Sequence, residues 1–260
     1  MPATYHPFLY DLTFPGSVRG DIDGYRGLAR ESGGPVLELG AGTGRITIPI
    51  AQDGLAIHAV DLDPGMLATL RQKAAAQPPD VAERITMTEG DMRSVQLDRR
   101  FALAIIPFRA FLHNLTPEDQ LACLRSVHGH LRAGGRLAFN VFHPSLEFMS
   151  RHVGPFENTW RLMATYPTPD GGLVMRSETS KFDTPRQRLR ALIRYDQFDA
   201  SGVLTASYLE QLELAYLYPR DIRHLLEQAG FSEIRISADF DGRPFEHDTD
   251  ELVIEALRAS

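Results

Sequence analysis

Three glycines alternate in Gly40-Ala41-Gly42-Thr43-Gly44, directly after the apolar run Val36-Leu37-Glu38-Leu39. A glycine turn between a strand and a helix lets backbone approach a ligand closely and points the helix N–H groups at it. A second apolar run, Ala56-Ile57-His58-Ala59-Val60, is closed by Asp61. That acid stands about 20 residues past the turn, where a carboxylate accepts both hydroxyls of a ribose. Turn and acid together predict a ligand of the adenosine type.

Further acids and one arginine decide which adenosine. Arg45 occupies the place where a dinucleotide fingerprint needs its third glycine. Glu38 lies two residues before the first glycine, where its carboxylate is expected to face the ligand, and Asp91 follows the third strand in Glu89-Gly90-Asp91-Met92. So many carboxylates repel a pyrophosphate but attract the ammonium and sulfonium of S-adenosylmethionine (SAM). A 2′-phosphate fits still worse, because Leu62-Asp63 follows Asp61 where an arginine would be needed. SAM is the expected cofactor.

These residues need a scaffold of strands feeding helices, and the chain supplies the pattern. A short helix over Asp23–Glu31 stops at Gly33-Gly34-Pro35. Strands follow at 36–39, 56–60, 84–89, 102–106 and 136–142, with helices between them, one opened by Pro64 and one by Thr116-Pro117-Glu118-Asp119 and stopped by Gly134-Gly135. Alternation at this pitch predicts an α/β fold with a doubly wound parallel sheet. From about Trp160 to Leu214 the pattern becomes β-rich, with runs 173–182, 189–198 and 203–212 separated by Asp170-Gly171-Gly172, Asp183-Thr184-Pro185 and Asp199–Gly202. That is an inserted antiparallel meander. The α/β theme resumes with a helix over 218–229 and two strands, 234–240 and 252–257, joined without a helix and so expected to pair as an antiparallel hairpin.

Val36–Arg45 resembles motif I of the class I SAM-dependent methyltransferases, Ala59–Met66 their second motif and Gly90-Asp91-Met92 their third. The resemblance covers roughly 30–143 and 215–260 and is closest to small-molecule N-methyltransferases of the glycine/sarcosine and amino-sugar type. It implies a seven-stranded Rossmann-like sheet with the C-terminal hairpin. The core would be 1–143 and 215–260, with 1–34 as a cap over the cofactor, and 144–214 would be a β lid over the acceptor. It further implies that the Gly40–Gly44 turn, Ala41 included, cradles the amino-acid part of SAM and that Asp61 holds the ribose. Leu62 and Met66 would pack on the adenine, Asp91 would meet its amino group with Met92 alongside, and backbone at Ile106-Pro107 would help hold the ammonium. Tyr10 and Tyr25 would cap the methionine end or orient the acceptor.

Methyl transfer from a sulfonium is an in-line displacement, helped chiefly by positioning and desolvation. A neutral amine needs no strong base, whereas an alcohol or phenol does. His113 and His143 follow the carboxyl ends of the fourth and fifth strands, where ligands bind in such sheets, and with Tyr10 are the candidate catalytic residues. No histidine spacing suggests a metal: His128 and His130 point to different sides of a helix, and His58 reads as a satisfied strand residue. Arg186, Arg188, Arg190 and Arg194 crowd one strand of the insertion, suggesting either a carboxylate-bearing substrate or a solvated polar face.

A net charge of -7, from 27 basic and 34 acidic residues, opposes a polyanion, so no nucleic-acid partner is expected. The segment Ile105–His113 also lacks the Asn/Asp-Pro-Pro-aromatic signature of nucleic-acid amino methyltransferases. No apolar run approaches the ~20 residues that span a bilayer, and the start has no signal-peptide pattern. The single Cys123 suits a reducing compartment and lies on a helix as a packed thiol, so a cytoplasmic location is expected. A β-rich lid also admits a homodimer. The expected function is methyl transfer to a small molecule, first to an amine nitrogen. The rivals are an O-methyltransferase using a His base and a protein that binds SAM or its product S-adenosylhomocysteine (SAH) without turnover.

Overall fold

The computed structural model describes residues 5–14, 20–143, 145–150, 159–247 and 251–259, in two compact units: 1–15 with 144–216, and 16–143 with 217–260.

The larger unit opens with α2 (Asp21–Ser32), which follows the single turn-pair α1 (Pro7–Thr13) of the other unit. It continues through β1 (Val36–Leu39), α3 (Thr47–Gln52), β2 (Ile57–Asp61), α4 (Pro64–Ala75), α5 (Pro79–Ala82), β3 (Ile85–Glu89) and β4 (Phe101–Ile106). A 3-10 turn (Ala110–His113), α6 (Pro117–His130) and β5 (Leu131–Phe142) follow. Its last elements, after the smaller unit's α7 (Leu146–Ser150), β6 (Arg161–Pro167), β7 (Leu173–Asp183), β8 (Arg188–Phe198) and β9 (Leu204–Ala215), are α8 (Pro219–Gln228), β10 (Phe231–Ala238) and β11 (Glu251–Arg258).

Seven strands form one sheet in the order β10-β11-β5-β4-β1-β2-β3. The pairs among β1 to β5 are parallel, whereas β11 runs antiparallel to β5 and β10 antiparallel to β11. This is the doubly wound sheet with a terminal hairpin that the alternating pattern predicts. β1 and β4 are buried along their whole length, as strands covered on both faces must be. The chain runs from β1 outward to β2 and β3, then returns to place β4 on the other side of β1, so the strand order reverses between β1 and β4. Outside the carboxyl ends at such a reversal the two adjoining loops part, leaving a crevice for a ligand.

Local signals set several boundaries. Gly33, left-handed at φ 74°, closes α2 with its N–H on the Ala29 carbonyl. Thr116 caps α6 by accepting from the Asp119 N–H at 3.1 Å, with Pro117 first in the helix. The sequence predicts that Gly134-Gly135 stops α6, but the helix ends at His130, because Leu131 turns extended and pairs with Phe101.

In the smaller unit, β6-β7-β8-β9 form an antiparallel meander. The sequence runs anticipate β7, β8 and β9, and the structure adds β6. Leu9 of α1 is buried among Val174, Ile193 and Tyr195. That burial attaches residues 5–14 to this unit, whereas the sequence reading groups 1–34 with the core. The arginine strand is paired internally. Arg188 and Arg190 reach Glu213 at 3.3 and 3.1 Å, Arg186 reaches Asp183 at 2.9 Å, and Arg194 reaches Asp196 at 3.0 Å while lying 4.9 Å from the Trp160 ring. Those pairings favour the polar-face reading over a substrate clamp. Among the described residues no helix is long and apolar enough to cross a membrane.

Candidate cofactor and methyl-transfer site

The glycine turn leaves β1 with Gly40, Gly42 and Gly44 at φ 73°, 57° and 89°, a region side chains rarely adopt. A Cβ on Gly40 would stand 2.7 Å from the Cβ of Ala110, so the loop after β4 lies directly on the turn. The Gly40 and Ala41 N–H groups both donate to the Val60 carbonyl, at 2.8 and 3.1 Å, anchoring the turn to β2.

Asp61 is held at the tip of β2. One carboxylate oxygen accepts from the Gly42 N–H at 2.7 Å and the other from the Asp63 N–H at 2.9 Å. Burial raises its pKa, against the lowering effect of those amides. Asp63 in turn caps α4, accepting from the Gly65 and Met66 N–H groups at 2.8 and 3.3 Å ahead of Pro64. Cap, acid and glycine turn therefore form one hydrogen-bonded unit.

Glu38 departs from its expected state. The sequence places a carboxylate facing the ligand, but the structure encloses it at 1% exposure and bonds it to the Thr47 hydroxyl at 2.5 Å. Burial pushes its pKa up to about 8, while the Thr47 bond and Arg45 pull it down and Asp61 adds to the rise. A carboxyl raised from its usual 4.5 favours folding below 4.5, and that contribution disappears as pH climbs through about 8. The ligand-free protein should therefore lose thermal stability across this window, and Glu38→Gln should flatten the profile. Melting temperatures between pH 5 and 8.5 test this; equal slopes for both proteins would refute a buried, protonated Glu38.

The remaining predicted residues divide. Met92 adjoins the glycine turn, its Cε 3.7 Å from where a Gly40 Cβ would stand, and its sulfur accepts from the Asn114 amide at 3.4 Å. Met66 is buried in α4, Ile106 is buried at the end of β4, and Leu62 is half exposed. Asp91 is engaged by Arg93, which holds its carboxyl below the usual range and also reaches Asp119 at 2.7 Å. Tyr25, expected to cap the methionine end or orient the acceptor, has no exposed surface from which to do so. It is fully enclosed beside Phe240, and its hydroxyl donates to Asn140 at 2.7 Å. Tyr10 belongs to the smaller unit, where its ring meets Tyr5 and Phe14.

His113 ends the 3-10 turn after β4. The residue is exposed, and partial loss of hydration around the ring lowers its pKa. His143, one residue past β5, lies against Tyr218 and Phe245 at ring separations of 5.7 and 4.9 Å. His58 is satisfied by Thr86 and Thr88, and His130 accepts from the Leu97 N–H. Cys123 is buried, and burial pushes its thiol up to about 12, as suits a packed side chain.

Sequence reasoning missed a buried polar cluster beside the site. The Asn140 carbonyl oxygen accepts from Tyr25 and from the Phe108 N–H at 2.9 Å, and its amide donates to Glu251 at 2.6 Å. Glu251 also takes a two-pronged bond from Arg109 at 3.0 and 2.7 Å. Arg45 grips Asp21 at 2.9 and 2.5 Å and lies 5.0 Å from the Phe108 ring. The only sequence signal was an Asn within the apolar run Leu137–Phe142, with Glu251 just ahead of the apolar run Leu252–Ile254. Phe108 and Arg109 sit at φ 54° and 65°, a conformation costing a non-glycine residue about 1–3 kcal/mol, which persists only where surroundings enforce it.

The site suits SAM on these observations. Three left-handed glycines form the turn, a Cβ would collide at Gly40 and Gly44, a fixed carboxylate ends β2, and a buried acid lies behind the turn. Residues 36–135 match a family model described as a methyltransferase domain. The chain is similar to the cypemycin N-terminal methyltransferase of a Streptomyces species, with 26% identity over 85% of this chain and 82% of that one. It is also similar to the CcbJ methyltransferase of Streptomyces caelestis, at a TM-score of 0.80 and 26% identity, covering 98% of this chain and 96% of the other. A third likeness is to the glycopeptide N-methyltransferase MtfA solved with SAH, at a TM-score of 0.56 and 25% identity over 92% and 90% of the chains. Residues 36–135 thus form a methyltransferase domain on a Rossmann-like core, and SAM is the methyl donor it uses.

Proposed function

We propose that the protein transfers a methyl group to an amine nitrogen of a small molecule. The observation carrying this reading is the likeness, over most of the chain, to proteins named as N-methyltransferases. A neutral amine brings its own lone pair and needs no base, whereas an alcohol or phenol does. The -7 charge argues against nucleic acid as acceptor.

In this reading the Gly40–Gly44 turn and the backbone at Ile106-Pro107 hold the amino-acid end of SAM, and Asp61 holds its ribose. Leu62, Met66 and Met92 flank the adenine, with Asp91 at its amino group. When bound, SAM supplies an electrophilic methyl on a sulfonium sulfur. Positioning and exclusion of water are then the protein's main contributions. His113, its pKa lowered, serves as a neutral hydrogen-bond partner. His143 and Tyr10 remain candidates for orienting the acceptor. Acceptor selection falls to the four-stranded unit, which the α/β sheet does not need for its own closure.

The test is incubation with methyl-labelled SAM and a metabolite extract, followed by mass spectrometry. A labelled methyl on nitrogen supports the reading, and one on oxygen overturns it. With the acceptor in hand, His113→Asn should slow transfer less than about tenfold, where loss of a general base would cost about 100-fold to 10,000-fold. The rate should also show no ionisation near 6.5 that His113→Asn removes.

A further inference from the structure

We infer that Asn140, with Tyr25 and Glu251, is a positioning device that shapes the loop after β4 for the amino-acid end of SAM. The inference rests on the SAM site proposed above. Asn140 and Glu251 are not among that site's predicted ligands, and Tyr25, which is, has no exposed surface; Asn140 is enclosed as well, so they act through the loop.

The geometry is specific. Asn140 lies on β5 beside β4, with Phe139 opposite Ile106. Its carbonyl oxygen takes two donors, the Tyr25 hydroxyl at 2.7 Å and the Phe108 N–H at 2.9 Å. Its amide nitrogen donates to Glu251 at 2.6 Å, so its orientation is set by complementary partners at both ends. Glu251 then holds the Arg109 guanidinium at 3.0 and 2.7 Å, and Arg109 also lies 5.4 Å from the Phe142 ring. Two adjacent residues, Phe108 and Arg109, are thus gripped by backbone and side chain in the left-handed conformation they would otherwise leave.

That conformation has a consequence at the site. It leads into the 3-10 turn Ala110–His113, whose Ala110 stands against Gly40. In the sheet, β2 and β3 lie on one side of β1 and β4 on the other. A ligand whose ribose is held by Asp61 at the tip of β2 must therefore reach the β4 loop with its opposite end, the amino acid. A merely structural cluster would affect every ligand alike, whereas this one discriminates between parts of one ligand.

Two probes separate these cases: SAH, which has the amino-acid tail, and 5′-methylthioadenosine, which lacks it. Calorimetric titration of the wild-type protein should give clearly tighter binding of SAH. Asn140→Ala should weaken SAH by about tenfold, the worth of roughly one hydrogen bond to a charged or buried group, and leave methylthioadenosine unchanged. Asn140→Asp sets two carboxylates against each other and should weaken SAH similarly. Adding Glu251→Gln to it restores an amide–acid pair, at the loss of the Arg109 Nε bond, and should recover part of the affinity. This exchanged pair carries the test if Asn140→Ala does not fold. Equal losses for both probes, unchanged SAH affinity, or no recovery in the exchanged pair would overturn the inference while leaving the SAM site intact. A wild-type protein that binds neither probe would overturn the SAM site and this inference with it.

Discussion

Asp61→Ala is expected to lower the affinity for SAH by about 100-fold, from two charge-assisted hydrogen bonds to the ribose together worth on the order of 3 kcal/mol. Both oxygens of Asp61 are already placed by the Gly42 and Asp63 N–H groups at 2.7 and 2.9 Å, so little ordering remains when a ribose is bound. The same amides hold the glycine turn to the tip of β2. The substitution consequently removes a ligand contact and loosens the cradle together. Asp61→Asn keeps the size and one acceptor oxygen and should fall between the two. Titration with SAH, alongside thermal melting to confirm a folded protein, decides the matter. An Asp61→Ala protein that melts normally and binds SAH as tightly as wild type would remove Asp61 from the site.

The second large effect is on stability. Phe139→Ala should cost about 3–5 kcal/mol, the range for truncating a buried aromatic. Phe139 has no exposed surface and sits in β5 between Ile106 of β4 and Ile254 of β11. Its ring packs 4.9 Å from Phe111 in the 3-10 turn that leads to His113. Nothing nearby is free to fill the gap, because both neighbouring strands are fixed by their ladders. At roughly 2–4 °C per kcal/mol for a chain of this size, the melting transition of the larger unit should fall by about 6–20 °C. A fall under about 3 °C would mean that the core collapses around the missing ring.

Much of the site was legible because each of its parts has a local cause. Gly40, Gly42 and Gly44 announce a turn that only glycine forms easily, and the observed φ values require it. Asp61 was found by its distance from that turn, since β2 must run beside β1 before its end can adjoin the loop. Thr116-Pro117 and Asp63-Pro64 marked helix starts through groups that bond two or three residues away. The terminal hairpin was legible from the lack of a helix between its strands. In all these cases the interacting groups are close in sequence or tied by one strand-to-strand step.

Other features depended on strand order. Asn140 meets Glu251 across 111 residues and Tyr25 across 115. The resemblance put Tyr25 at the methionine end of SAM without saying which partner its hydroxyl would find. The same holds for Glu38: spacing put a carboxylate near the turn, but burial behind Thr47 and Arg45 decided that it is enclosed and raised to about 8. Leu9 joined the four-stranded sheet because Val174, Ile193 and Tyr195 offered it a buried place, which no pattern within residues 1–34 encodes. Residue type sets what the backbone can do over a few positions, and from that the sequence by itself determined the strand–turn–helix cradle and its ribose acid. Protonation, enclosure and long-range pairing depend on which groups replace water around a side chain, and only the tertiary structure decided those.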